Sequence, residues 1–349
     1  MDEKRPKCIH RIIFQYSEKN INMITGIDSY RGKNDIIRSL LPLAGDLRHV
    51  RIDRDKISEF CAPIRRKHLV SPQWDQKFIF SGRDEIGVDY FMLMNALNFS
   101  YWGEPRWTVE FEDRLLDGAF GMFAALNRAV DDGIPIWEGA FLAGIGPTEL
   151  ADIFRGKGTI PLFNQRLTIC REIGSVLTRH FEGRFYHLVE RSEGSAVRMV
   201  RLLVSHFPSF NDASEWEGEP ILFYKRAQLA PAMLFERWEG AGPGSFSDLD
   251  QMTVSADYKI PQVLRKLGII TYSDQLKRLV DSRRIIPVNS REELEIRVST
   301  ILAAELILKG LQTKFPKITS QNVDRMLWLI GQQKSPDDKP YHRTRTIAY

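Results

Sequence analysis

Three places in the 349-residue sequence put charged side chains where they could act on a bound molecule. The first is Asp257, within Asp250-Gln251-Met252-Thr253-Val254-Ser255-Ala256-Asp257-Tyr258-Lys259-Ile260-Pro261-Gln262-Val263-Leu264-Arg265. It stands just before an apolar helical run with a proline in its first turns, where a missing N–H costs nothing. A carboxylate there is held ordered and ionised by the helix N-terminus. Spacing alone leaves two readings open: a charged group facing a cleft, or a plain N-cap aspartate. The second place is Asp324 with Trp328, four residues apart and so on one helix face. Alone they also read as a first-turn Asp and a core Trp. The third is Lys225-Arg226, between Ile221-Leu222-Phe223 and Ala230. A positive pair beside buried residues suits a phosphate, although a solvated or salt-bridged pair fits the same residues.

The elements that must position these groups read mostly as helix. Residues 113–130 place Leu116, Phe120, Phe123, Ala124 and Leu126 largely on one face. The same period runs through 163–180, with Leu167, Cys170, Ile173 and Leu177, and through 195–207, with Val197, Val200, Leu203, Val204 and Phe207. Over 290–312, Ser290 and Glu293 form an S-x-x-E capping box ahead of a run that is apolar on several sides. That helix is expected to be central. A last helix is expected over 320–331, with Val323, Met326, Leu327 and Ile330 inward. Strand candidates are Lys77-Phe78-Ile79-Phe80 and the cleanly alternating Trp107-Thr108-Val109-Glu110-Phe111. Residues 239–247 (EGAGPGSFS) are a breaker cluster. The polar stretch from 332, with Pro336 and Pro340, reads as an extended tail over 332–349. No repeat or low-complexity tract is visible. The chain reads as one unit over 1–349, with a division into two helical lobes about a cleft left open.

Composition narrows the class. Hydrophobic residues are 43% and charged residues 27%, so disorder, collagen and coiled coil do not describe the whole chain. Aromatics reach 11%, enough to fill a core and still line a pocket. The net charge of +4 suits a phosphate-bearing small ligand better than a nucleic acid. Cys8, Cys61 and Cys170 are odd in number and form no CxxC pair, so a reduced cytosolic chain without a cysteine zinc site is expected. The charged start Met1-Asp2-Glu3-Lys4-Arg5 leads into no long apolar region, so no signal peptide is expected. No stretch approaches the roughly 18 apolar residues of a membrane span.

Several motifs fail on spacing. Gly156-Lys157-Gly158-Thr159 lacks the GxxxxGK[ST] arrangement and reads as a plain loop. His180 and His187 come with no HExxH pattern and no third ligand. No G-x-S-x-G elbow occurs. Phe141-Leu142-Ala143-Gly144-Ile145-Gly146-Pro147-Thr148-Glu149-Leu150-Ala151 follows the L-x-G-x-G core of a helix-hairpin-helix. In DNA glycosylases such a hairpin offers backbone N–H groups to a phosphate. The same residues also read as a helix end followed by a helix opened at Pro147. Glu149 and Asp152 would repel a phosphate backbone, so the hint favours a glycosylase-like helical architecture more than DNA binding.

Six blocks resemble the queuosine 5′-phosphate N-glycosylase/hydrolase family, also called the queuosine salvage protein family. They are Ser255–Ser273 (SADYKIPQVLRKLGIITYS), Asn98-Phe99-Ser100-Tyr101-Trp102, Ile160–Arg166, Phe223–Gln228, Glu293–Arg297 and Pro340–Arg345. Each block is weak alone. Their joint order, running from near residue 49 through the rest of the chain, is specific. The resemblance implies a mainly α, helical, DNA-glycosylase-like architecture with a few short strands. It also implies hydrolysis that frees the 7-deazaguanine base queuine from queuosine 5′-monophosphate, for salvage into tRNA modification.

That chemistry makes demands on the site. Breaking the bond from ribose C1′ to the base nitrogen develops an oxocarbenium-like cation, which a nearby carboxylate stabilises while orienting or deprotonating water. The resemblance places the family's active-site Asp at Asp257. A 7-deazapurine has carbon in place of N7, so charge on the departing base must be relieved elsewhere on the ring. Queuine also carries a secondary amine, protonated at neutral pH, which suits a second carboxylate. The resemblance puts a base-binding Asp at Asp324, with Trp328 as an aromatic wall, and a base-contacting His at His49, which alone would read as a surface histidine. Ser255 stands where some relatives carry a stacking aromatic, so Tyr258, Tyr101 or Trp102 would have to supply that contact. Lys225 and Arg226 are expected at the 5′-phosphate. No cofactor, metal, membrane or stable nucleic-acid partner is expected, and the setting is expected to be cytoplasmic. Two other classes stay in view: a DNA or RNA base glycosylase using the 144–146 hairpin, which would need base flipping and a basic groove, and a non-catalytic queuine-binding protein.

Overall fold

A computed structural model describes residues 30–69, 76–333, 335, 336 and 338–349. Cys8 and the charged Met1–Arg5 stretch lie outside the described residues. Among those residues the chain forms fourteen α-helices and three separate two-stranded antiparallel ribbons, so the protein is mainly helical. In chain order the helices are α1 (Lys33–Ala44), α2 (Arg54–Cys61), α3 (Glu85–Ala96), α4 (Gly118–Asp131), α5 (Gly139–Gly144), α6 (Pro147–Ile153) and α7 (Phe163–His180). They continue with α8 (Phe185–Arg191), α9 (Ala196–His206), α10 (Lys225–Arg237), α11 (Lys259–Lys266), α12 (Asp274–Asp281), α13 (Arg291–Gln312) and α14 (Ser320–Gln332). The ribbons pair β1 (Val50–Ile52) with β6 (Ile270–Tyr272), β2 (Thr108–Phe111) with β3 (Arg114–Asp117), and β4 (Ala213–Trp216) with β5 (Glu219–Leu222).

Helix α13 is the axis of the fold. Ser290 caps it by accepting from the Glu293 N–H at 3.3 Å. The reciprocal half of the expected box is displaced by one residue: the Glu293 carboxylate accepts from the Asn289 N–H at 3.2 Å, and also from the Tyr349 hydroxyl at 2.7 Å. Every residue from Glu293 to Ile301 is buried, so the helix has no solvent face there. Its buried charges are therefore all engaged, as burial demands. Glu295 accepts the successive N–H groups of Arg48, His49 and Val50 at 3.0, 2.6 and 3.1 Å, which docks the start of β1 against α13.

The expected helices over 163–180, 195–207 and 320–331 form as α7, α9 and α14. Ser195 caps α9 by accepting the Arg198 N–H, and Thr319 with Asn322 makes a capping box on α14. Two expectations are corrected. The segment 113–130 is not helical from its start: 114–117 is β3, and the helix begins only at Gly118. A tight turn through Glu112, at φ 50°, folds β3 back on β2 with Val109 opposite Leu116, and Gly118, at φ 58°, breaks the strand. The run 77–80 is not a strand. Ile79 N–H closes a turn on Gln76, and Phe78 and Ile79 bury with no strand beside them, Phe78 packing edge-on against Phe120 at 5.4 Å. The apolar run satisfied burial rather than a ladder.

The glycines at 144 and 146 separate two short helices, α5 and α6, with Pro147 opening the second. A Cβ on Gly146 would lie 2.5 Å from a Glu149 carboxylate oxygen, so that carboxylate occupies the approach a phosphate would need. Gly156–Thr159 is a loop, bridged to β2 through Lys157 and Thr108. Behind the hairpin, α7 crosses α5 at Gly174, where a Cβ would meet Ala143 N at 2.0 Å and Gly139 O at 2.5 Å. Gly174→Ala is therefore expected to cost about 1–3 kcal/mol through overpacking, read as a lower melting temperature in thermal unfolding. An unchanged melting point would mean that the crossing is loose.

Candidate active site

A chamber of about 1090 Å³ opens between one face of α10, the turn leading into α11, one face of α14, the loop 98–106 and the segment 338–343. It is large enough for a nucleotide and is lined by both rings and charges, as ligand sites are. Asp257, Asp324 and Lys225 all line it, together with Ser255, Tyr258, Trp102 and Trp328.

Asp257 satisfies both readings of its position. Its Oδ1 accepts the N–H groups of Lys259 at 2.7 Å and Ile260 at 3.0 Å, so it is the cap of α11. No hydrogen bond within the described residues takes Oδ2, and the residue is only half-buried against the chamber. The helix end fixes the carboxylate with one oxygen and leaves the other available.

Asp324 is held differently. The Ser255 N–H donates to its Oδ1 at 2.8 Å and the Ser255 hydroxyl to its Oδ2 at 3.3 Å. Burial pushes its carboxyl up to about 7, with the neighbouring Asp257 charge adding to the rise; the Ser255 N–H and the Lys225 charge oppose it. Lys225 begins α10 and is buried, its ammonium donating to the Asn98 carbonyl at 3.4 Å. Burial lowers its pKa while the carboxylates of Asp257 and Asp324 hold it up. Lys225 thus lies within electrostatic reach of both carboxyl groups, and all three line the chamber.

Rings supply the walls. Tyr258 packs against Tyr341 with centroids 4.9 Å apart. Trp328 meets Phe120 edge-on at 5.9 Å. The guanidinium groups of Arg343 and Arg345 lie 5.6 and 5.3 Å from the Trp102 centroid. Ser255 carries no ring, but Tyr101, Trp102 and Tyr258 all face the same space.

Two expected site residues lie elsewhere. Arg226 does not reach the chamber, because its guanidinium is spent on the buried carbonyls of Ala96 and Ser209, between the rings of Phe99 and Phe210. Sequence shows the charge pair but not that successive helix positions point about 100° apart. His49 lines a separate pocket of about 790 Å³ against α13, with Nδ1 3.2 Å from the Ser273 hydroxyl and Nε2 3.9 Å from Glu292. Conversely, Tyr341 and Arg343 line the chamber although their segment reads as a tail. That segment has no regular element, yet His342, Thr344 and Tyr349 are buried, and Ile286 N–H donates to the Arg343 carbonyl. The alternation of Tyr341, Arg343 and Arg345 with buried His342 and Thr344 was the available signal.

Fold and chamber together define a mainly helical protein with a chamber lined by aromatic rings and by the carboxyl groups of Asp257 and Asp324. A family model described as queuosine salvage protein matches residues 79–349. A Sphaerobacter thermophilus protein named queuosine 5′-phosphate N-glycosylase/hydrolase is 38% identical over 298 residues, spanning 85% of this chain and 92% of its own length. The Mus musculus protein of the same name is 36% identical over 282 residues, 77% of this chain and 83% of its own. A Schizosaccharomyces pombe relative, again so named, is 32% identical over 266 residues, 72% of this chain and 76% of its own. The chain belongs to the queuosine salvage protein family.

Proposed function

We propose that this protein hydrolyses the N-glycosidic bond of queuosine 5′-monophosphate and releases queuine. The names of its relatives support the reaction. The observation that carries it for this chain is Asp257, tied to the α11 N-terminus by one oxygen with the other open to an aromatic chamber. In the reaction the C1′–nitrogen bond breaks, C1′ gains the oxygen of water, and the base nitrogen gains a proton. Asp257 faces the cationic C1′ and the water. Asp324 takes the secondary ammonium of the base in a charge-assisted pair. Lys225 offsets the two carboxylates and attracts the 5′-phosphate, and Trp102, Tyr258 and Trp328 are the stacking surfaces. His49 has no part in this scheme. A cytoplasmic setting belongs to the same proposal; Cys61 and Cys170 are free thiols, and no described helix is long and apolar enough to cross a membrane.

The test is incubation with queuosine 5′-monophosphate, queuosine and guanosine monophosphate, with released bases followed by chromatography. Release of queuine from the first is the expected result. Guanine released as readily from the third would overturn the modified-base specificity, and no release from any would leave a binding protein. Tight oligonucleotide binding with a steep salt slope would instead revive a nucleic-acid glycosylase.

A further inference from the structure

The reading of Asp257 and Lys225 as working parts raises the question of what fixes their separation, since they sit at the starts of two different helices. Arg297 of α13 answers it. Its side chain is 2% exposed, and its donors are directed at both elements. Nε donates at 3.0 Å to the carbonyl of Ala256, the residue before Asp257. Nη1 and Nη2 donate at 2.9 and 2.6 Å to the two carboxylate oxygens of Asp212. Asp212 Oδ2 in turn accepts the backbone N–H of Lys225 at 3.1 Å, and the Asp212 carbonyl accepts the N–H groups of Phe223 and Tyr224. The plane of the guanidinium is covered by the ring of Phe223 at 3.7 Å and that of Tyr349 at 4.6 Å. Tyr349 is itself held by its hydroxyl bond to Glu293, one turn earlier on α13.

We propose that Arg297 is a positioning residue for the reaction, one rigid guanidinium setting the distance between the turn that carries Asp257 and the turn that carries Lys225. The inference rests on the function proposed above. The fork geometry matters because an ammonium cannot donate to Ala256 and to both Asp212 oxygens in one plane. The Nε bond to the Ala256 carbonyl extends the Asp212 pair to the turn that carries Asp257, so the same guanidinium touches both turns.

Arg297→Lys keeps the charge opposite Asp212 and removes the fork. Its kcat on queuosine 5′-monophosphate, measured well below its melting temperature, is expected to fall about 10- to 100-fold, with KM within about twofold of wild type. Gly174→Ala, at a helix crossing that does not line the chamber, serves as the control for lost stability and is expected to keep its kcat. Hydrogen exchange gives a readout independent of turnover: the Lys259 and Ile260 amides bonded to Asp257 are expected to exchange about tenfold faster in Arg297→Lys, and at the wild-type rate in Gly174→Ala. Should Arg297→Lys fail to fold, Tyr349→Leu uncovers one face of the guanidinium while leaving the Asp212 pair, and is expected to move kcat and exchange in the same directions, several-fold. Wild-type kcat and exchange in the folded variant overturn the proposal, as does an equal loss in Gly174→Ala. If the wild-type protein itself releases no queuine, the functional reading fails, and the exchange result alone judges Arg297.

Discussion

Asp257→Asn is expected to slow queuine release by roughly 10²–10³-fold or more, the usual effect of removing a preorganised charge-stabilising group. The variant is a clean one because of how Asp257 is held. Its Oδ1 accepts the Lys259 and Ile260 N–H groups, and an amide oxygen can accept the same two bonds. Asn and Asp are near-equal as N-caps, so the melting temperature is expected to stay close to wild type. Asp257→Ala would add the loss of the cap, about 1 kcal/mol, and so mix two effects. Chromatographic rate measurement with a melting curve on the same preparation decides the matter. Substantial activity in a folded Asp257→Asn protein would reject the assignment.

The second large effect concerns Asp324 and pH. Its carboxyl is raised from 3.8 to about 7, chiefly by burial, so between those values the folded protein holds a proton that the unfolded chain has released. Stability from this group is complete below about pH 4 and is lost as pH rises through about 7, in total roughly 4 kcal/mol. The groups facing it are Ser255, whose two bonds favour ionisation, Lys225, which favours it, and Asp257, which opposes it. Asp324→Asn does not titrate, and its amide can accept from the Ser255 N–H while donating to the Ser255 hydroxyl. At pH 8 the variant is therefore expected to melt higher than wild type without substrate. Catalysis should run the other way. Only the ionised carboxylate pairs with the ammonium of the base, so wild-type kcat/KM is expected to rise through about pH 7, while Asp324→Asn is slow and flat. A wild-type profile that is level from pH 6 to 8 would remove Asp324 from that role.

Much of this was legible in the residues. Helices α7, α9, α13 and α14 carry long 3.6-residue apolar periods, the last three also carry cap residues, and their bounds fall close to those read from sequence. The hairpin at 108–117 was half legible. Alternation marks β2, but Leu115 and Leu116 have no alternation of their own, and four residues are too few to separate a strand from a helical first turn. The helix-start position of Asp257 left two readings open and the family resemblance singled it out, yet only the fold shows that capping and facing the chamber use different oxygens. Lys225 and Arg226 are indistinguishable as letters; their consecutive places on α10 send one to the chamber and the other to Ser209. Ser255 lost a ring by sequence comparison, and in the fold it gained the task of holding Asp324. The Asp212–Arg297 pair joins residues 85 apart in sequence, and no local pattern announces it.

The wall supplied by residues 338–343 has a bearing on the order of folding. Ser100 donates its N–H to the Tyr349 carbonyl, across 249 positions of sequence, and the guanidinium groups of Arg343 and Arg345 lie over the Trp102 ring. A nascent polypeptide can coil its early helices while still on the ribosome, because those contacts are local. The finished compartment, by contrast, needs the contact between Ser100 and Tyr349, and closing so long a span makes it a late event in folding. A chain folded only in its local helices would thus carry the Asp257 carboxylate without the enclosure around it.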